Sequence, residues 1–189
     1  MYILRDKKQP LEEKLEPATK QQFDLLQKQI DKDPETARML TSPMGEIPQY
    51  YWLYSDIATR NLKGFSLLAT LKFLALDGNT TLIFSKTSGG FFTGFILFDD
   101  DGREISNIKV ASFFDDVKKS NPTLAFDLIK NFFEKEIQYK NKISWLADKK
   151  NTHAIAQYDR LLKNKFVYIR DEDKTGKLWV YTVTGKQKG

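Results

Sequence analysis

The 189-residue sequence has no cysteine and a single histidine, His153. The first absence removes disulfide frameworks, thiolate nucleophiles and cysteine-ligated zinc, and the second removes any histidine-rich metal centre. No apolar run approaches the roughly 20 residues that cross a bilayer as a helix. The first residues, Met1-Tyr2-Ile3-Leu4-Arg5-Asp6-Lys7-Lys8, turn charged before the apolar core of a secretory signal could form. These absences predict a cytoplasmic protein without metal, disulfides or membrane contact. Charge of one sign is not in large excess either. Thirty basic against 25 acidic residues leave +5, enough to favour an anionic ligand such as a nucleotide cofactor or a nucleic acid without choosing between them.

What is present is material for a packed core. Hydrophobic residues make up 41% of the chain and include 14 Phe, far more than a disordered chain carries. The length suits one substantial domain, and no internal repeat or low-complexity linker divides it. The expectation is a single domain over residues 1–184 with a mobile basic tail at 185–189.

The order of elements follows from periodicity. Met1 to Arg5 reads as a short first strand, followed by a charged connection through Glu16-Pro17. Phe23, Leu26 and Ile30 recur at helical spacing, and Asp33-Pro34 is an N-cap and first-position proline opening a second helix toward Leu40. The loop formers between Thr41 and Pro48 precede an aromatic cluster, Tyr50-Tyr51-Trp52-Leu53-Tyr54. Such a cluster could line a pocket or stack on a nucleobase, but packing against helices is the usual fate of large aromatics. Ser55 or Asp56 is a candidate start for further helix, and Phe65 to Leu76 is apolar enough to be buried in either secondary structure. Thr80–Ser85, Phe91–Phe98 and Ile105–Ser112 are β-branched and aromatic, and the turns Ser88-Gly89-Gly90 and Asp101-Gly102 join them as antiparallel neighbours. Leu124, Leu128 and Phe132 mark an amphipathic helix over 122–136, and the last strand centres on Leu178 to Val183.

The most informative stretch lies in the last third. Ile143, Trp145 and Ala147 alternate as on a half-buried strand, Asn151 stands at an N-cap position, and Ala154, Tyr158 and Leu161-Leu162 follow at spacings of three and four. Phe166-Val167-Tyr168 then begins another strand. Asn151 and Tyr158 are seven residues apart, about two turns, and so lie on nearly one helical face.

This strand, Asn-capped helix, helical Tyr and strand resemble the C-terminal part of the GNAT acyltransferase superfamily. The resemblance implies an α+β fold, an α/β/α sandwich with a mixed, mostly antiparallel sheet of six or seven strands flanked by helices. It also implies an acyl-CoA-dependent N-acyltransferase that moves an acetyl group from acetyl-CoA, or another acyl group from its CoA thioester, to a small-molecule or protein amine. In that family the capping Asn contacts the pantetheine arm and the Tyr protonates the departing thiolate, roles that would fall to Asn151 and Tyr158. The family's central strand would be Ile108–Ser112 here, with Val110, Ala111 and Ser112 along the pantetheine.

The family's phosphate loop reads Gln or Arg, two residues, Gly, one residue, then Gly or Ala, delivering helix N-terminal N–H groups to a pyrophosphate. Alignment on the helix start places Lys118, Asn121 and Thr123 over its basic and two small positions, with Lys119 and Ser120 between. This departs from the pattern. Asn121 and Thr123 carry side chains, Pro122 has no N–H, and Asp115-Asp116 would repel phosphate. Lys118 and Lys119 could compensate by charge. The departure motivates an alternative, a GNAT-like fold that has lost catalysis and serves as a binding module, with nucleic acid as one candidate partner. The sequence identifies neither the acceptor's general base nor the oligomeric state.

Overall fold

The computed structural model describes residues 13–50, 62–76, 80–114 and 124–187. In chain order these form β1 (Glu13–Pro17), α1 (Lys20–Lys32), α2 (Pro34–Thr41), α3 (Leu67–Leu76), β2 (Thr80–Thr87), β3 (Phe92–Asp100), β4 (Glu104–Ser112), α4 (Leu124–Glu136), β5 (Lys142–Asp148), α5 (Thr152–Leu162), β6 (Phe166–Glu172) and β7 (Leu178–Lys186). The strands make one sheet in the order β1-β2-β3-β4-β5-β7-β6. β1 is antiparallel to β2, and β7 is antiparallel to both β5 and β6, whereas β4 and β5 are parallel. A parallel neighbour needs a crossover rather than a hairpin, and α4 lies in that connection. The architecture is the mixed α+β class expected from the sequence. Among the described residues no helix is long and apolar enough to cross a membrane.

Backbone proximity separates two compact units, one running to Phe95 and including Ser112 to Phe114, the other holding Ile96–Ala111 and the chain from Leu124 onward. In the first unit, Thr19 caps α1 by accepting from the N–H of Gln22 at 3.2 Å, and Asp33 caps α2 through the N–H of Thr36 at 3.2 Å, with Pro34 in the first turn. Phe23, Leu26 and Ile30 are buried as their spacing requires. Phe23 and Phe92 each meet Phe84 edge to face, with centroids 5.2 and 5.3 Å away. The segment whose type was open is helical, because Ser66 accepts from the N–H of Ala69 at 3.1 Å and so caps α3. It is not buried throughout: Leu67, Thr70 and Leu71 face inward, while Phe65, Phe73 and Leu76 are exposed.

In the second unit, β5 and β7 pair from Ile143↔Val183 to Asp148↔Leu178. Directly paired residues share a face, so Ile143, Trp145, Val183 and Tyr181 form one apolar surface. Phe132 and Phe133 of α4, Leu161 and Leu162 of α5, and Phe166 of β6 complete this core.

Two expectations about the ends of elements change. The charged connection at Glu16-Pro17 belongs to β1, an edge strand whose alternation is masked by the charges and proline that edges carry. Gly185 and Lys186, expected in a mobile tail, are the last residues of β7, held by pairing with Val167 and Phe166. The strand expected at Met1–Arg5 and the helix start at Ser55 or Asp56 lie outside the described residues.

Candidate functional site

The site is a gap in the second unit's sheet. β4 and β5 begin together, with Glu104 opposite Lys142 and Ile105 opposite Ile143, and among the described residues no further pair joins them. Contacts at that end hold the starts of both strands. The N–H of Asn141 donates to the carbonyl of Arg103 at 2.8 Å, and Lys140 Nζ lies 2.8 Å from Asp100 Oδ1 with both side chains largely buried. Asp101 shapes the turn by accepting from the N–H groups of Arg103 and Glu104, which hold its carboxyl below the usual carboxylate range.

Beyond the last pair the two strands are committed differently. β5 stays paired with β7 through Asp148. β4 contains Asn107 at φ 55°, a left-handed residue inside a strand, with its Nδ2 donating to Asp99 Oδ2 at 2.8 Å. Such a residue breaks the regular pleat and bends the strand. The bend falls two residues past Ile105, where the ladder ends. Val110 and Ala111 stand near the end of β4, on the strand bordering the gap, and Ser112, its last residue, falls in the first unit.

The β5–α5 connection is short and hydrogen-bonded. The N–H of Asn151 donates to the carbonyl of Asp148 at 2.9 Å, and the carbonyl of Asn151 accepts the first helical bond, from Ile155, at 3.1 Å. Asn151 is thus the backbone N-cap of α5, as its position predicted. Tyr158 lies on the same helix with its ring against Trp145 and Tyr181, centroids 5.3 and 5.5 Å away. Burial raises the pKa of its hydroxyl above the ordinary tyrosine value. That hydroxyl makes no hydrogen bond among the described residues. It therefore retains its proton at neutral pH with no described protein partner competing for it.

Trp145 lies on β5 in the core beneath α4 and α5. It is the first inward-facing residue of β5 beyond the last β4 partner, it is 2% exposed, and among the described residues its indole N–H has no hydrogen-bond partner. Its ring stacks on Phe133 at 4.8 Å and on Tyr181 at 5.2 Å. An unpaired buried donor costs about 1–3 kcal/mol.

Sequence reasoning missed the polar group beside these rings. Tyr181 donates to Asp159 Oδ1 at 3.0 Å, and Arg170 donates to Asp159 Oδ2 at 3.1 Å. Burial, aided by Asp159 and opposed by Arg170, pushes the Tyr181 pKa up to about 12. The three residues come from α5, β6 and β7, and no local spacing could have announced them. Asp159 and Arg170 also border a basic surface cleft of about 610 Å³ with Arg160, Lys163, Asn164 and Tyr168. None of the cofactor-binding or catalytic candidates from the sequence lines this cleft.

The structure therefore places Asn151 and Tyr158 on one helix in the unit containing the β4–β5 gap. Lys118, Lys119, Ser120, Asn121 and Thr123 lie outside the described residues. Of the aromatic cluster, Tyr50 is fully buried, consistent with packing, and Tyr51–Tyr54 lie outside the described residues.

No family model matches the sequence, and no curated protein matches it. Solved structures do match its shape. The Campylobacter jejuni N-acetyltransferase PseH in complex with acetyl coenzyme A is 16% identical, with 92% of this chain and 99% of that chain covered at a TM-score of 0.50. A chimera of the Vibrio cholerae spermidine N-acetyltransferase SpeG with hSSAT is 10% identical, with 91% and 95% covered at a TM-score of 0.52. Identities this low speak to fold and not to chemistry. With the sheet order and the parallel, parting central pair already seen, they show that this chain has the GNAT fold.

Proposed function

We propose that this protein is an acyl-CoA-dependent N-acyltransferase. The observation that carries the reading is the parting of β4 and β5 after Ile105 and Ile143, with Tyr158 on the helix that follows β5. A gap between strands leaves backbone N–H and C=O groups along both edges for an extended ligand that carries amides of its own. An acyl-CoA thioester has that character in its pantetheine arm, and when bound it supplies an activated acyl group.

The residues present fit such a ligand. Val110, Ala111 and Ser112 would border the arm along β4, and Asn151 at the opening of α5 would contact it from the other strand's side. Lys118, Lys119, Ser120, Asn121 and Thr123 would meet the phosphates through charge, hydroxyl and amide groups in place of the glycine-lined cradle. Tyr158, whose pKa is raised by burial, would hold a proton for the sulfur as the amine takes the acyl group. The acceptor is an amine, and the small-molecule class is favoured by analogy with the spermidine acetyltransferase of the same fold. The reading keeps the protein as one catalytic domain acting in the cytoplasm.

Isothermal calorimetry with acetyl-CoA tests the reading directly. Saturable binding with one site per chain is the expected result. Absence of heat at millimolar cofactor would remove the transferase and leave the fold as a binding module.

A further inference from the structure

We infer that β6 is a self-association surface, along whose free edge a second copy of this chain pairs antiparallel so that two sheets become one. The inference does not rest on the transferase reading.

β6 ends the sheet, and among the described residues it pairs only with β7. Its other edge therefore offers a row of backbone N–H and C=O groups, which natural proteins usually blunt with charge, proline or a bulge. The opposite end of the sheet is treated in that way, since β1 holds Glu13, Lys14, Glu16 and Pro17. β6 instead carries two aliphatic residues in the open, Val167 at 46% and Ile169 at 58% exposure. The irregularity beside them belongs to the other strand. Val167 is opposite Gly185 and Tyr168 is opposite Val183, so the extra residue is Thr184 of β7, and β6 runs on unbroken.

Side chains along β6 alternate, with Phe166 in the core and Arg170 bonded to Asp159 of α5. Val167, Ile169 and Asp171 consequently share the other face. Lys165, one residue before the strand, keeps their line because its carbonyl accepts from the N–H of Gln187 at 2.9 Å. This face reads basic, aliphatic, aliphatic, acidic, a series complementary to its own reversal. Two copies meeting about a two-fold axis present that reversal to each other. An axis through Tyr168 sets Val167 against Ile169 of the second copy and Lys165 against its Asp171, and each pair occurs twice. An axis through Ile169 would set Val167 against Asp171, and one through Val167 would set Lys165 against Ile169. Directly opposed aliphatic pairs and opposite charges are what stabilise antiparallel neighbours, so the axis falls at Tyr168. Lys165 and Asp171 are both exposed, and neither forms an ion pair among the described residues. A single strand pair lies at the small end of specific interfaces, below about 1,200 Å², so the association depends on concentration.

Sedimentation velocity on the full chain, from micromolar to millimolar concentration, reads the association, and amide hydrogen exchange on the same samples reads where it occurs. The inference expects a monomer that converts to a dimer as concentration rises, with protection gained along β6 and none along β1. Lys165→Asp opposes two acids across the axis and Asp171→Lys opposes two bases, so each should weaken the dimer about tenfold. The variant carrying both reversals restores opposite charges and should dimerise like wild type. A wild type that stays monomeric at millimolar concentration overturns the inference and leaves the edge to a partner of another kind. A dimer indifferent to the single reversals, or not restored by the double one, overturns it as well. The exchange measurement uses wild type alone and does not depend on the folding of any variant.

Discussion

The Tyr181 hydroxyl donates to Asp159 Oδ1 at 3.0 Å, tying the middle of β7 to α5 one residue beyond Tyr158. The other oxygen of the same carboxylate accepts from Arg170 of β6, whose guanidinium also lies over Trp179 at 4.3 Å. One acidic side chain thus holds the helix against two strands. Because burial keeps Tyr181 neutral up to about 12, the folded chain retains a proton that the unfolded chain releases near pH 10. Stability from this group is fully present below about pH 10 and is lost as pH rises toward about 12, since the unfolded state binds fewer protons in that window. Urea unfolding midpoints followed above about pH 9 should therefore fall less steeply for Tyr181→Phe than for wild type. The raised pKa of Tyr158 acts in the same direction and persists in the variant. Identical slopes for both proteins would contradict the assignment.

Tyr158→Phe separates chemistry from packing. The phenyl ring keeps the contacts with Trp145 and Tyr181, so thermal stability and acetyl-CoA affinity should stay close to wild type. Turnover should fall by about 10²-fold or more, the usual contribution of a positioned proton donor. The raised pKa adds a second signature: wild-type kcat should show no loss from this group until the pH exceeds about 10. A variant that turns over normally would leave Tyr158 as a packing residue only.

How much of this was legible in the sequence depended on how local each feature was. The caps at Asp33 and Asn151 and the alternation of Ile143, Trp145 and Ala147 each rest on a few adjacent residues, and the structure has them as read. β1 was not legible, because Glu13–Pro17 is charged and gains its conformation only by pairing with Thr87–Ile83. The exposure of Phe65, Phe73 and Leu76 was equally hidden, since apolar content reports what could be buried and not what covers it. At the candidate site, Tyr158 stood out by its spacing from a cap. Asp159, Arg170 and Tyr181 meet only because β6 and β7 fold back beside α5, and the orphan state of Trp145 is defined by neighbours far along the chain.

A buried amide in the first unit offers a stability test independent of the site. Gln29 Oε1 accepts from the N–H of Phe92 at 2.7 Å while its Nε2 donates to the carbonyl of the same residue at 3.0 Å and to Thr36 Oγ1 at 3.1 Å. The side chain thus stands in for a neighbouring strand at Phe92. Gln29→Leu keeps the volume but strands both backbone groups, so unfolding free energy should drop by about 2–3 kcal/mol. Chemical denaturation reads this directly. A change within a few tenths of a kcal/mol would mean that those groups find other partners.

The bend in β4 can be tested through Asn107. Its left-handed φ of 55° is tolerable for Asn, free for Gly and strained for a β-branched residue. Asn107→Gly loses only the bond to Asp99, which lies at the surface, and should unfold within about 0.5 kcal/mol of wild type. Asn107→Val should cost about 1–2 kcal/mol if the bend is kept. If the strand relieves that strain by straightening, its edge can continue along β5 past Ile143, and the gap narrows. Amide exchange distinguishes the two responses, because N–H groups of Ser144 to Asp148 that face β4 would gain protection only when the ladder lengthens. Acetyl-CoA affinity should then fall in step with that protection, whereas the glycine variant should bind like wild type. Added protection with undiminished affinity would show that the gap is not where the cofactor lies.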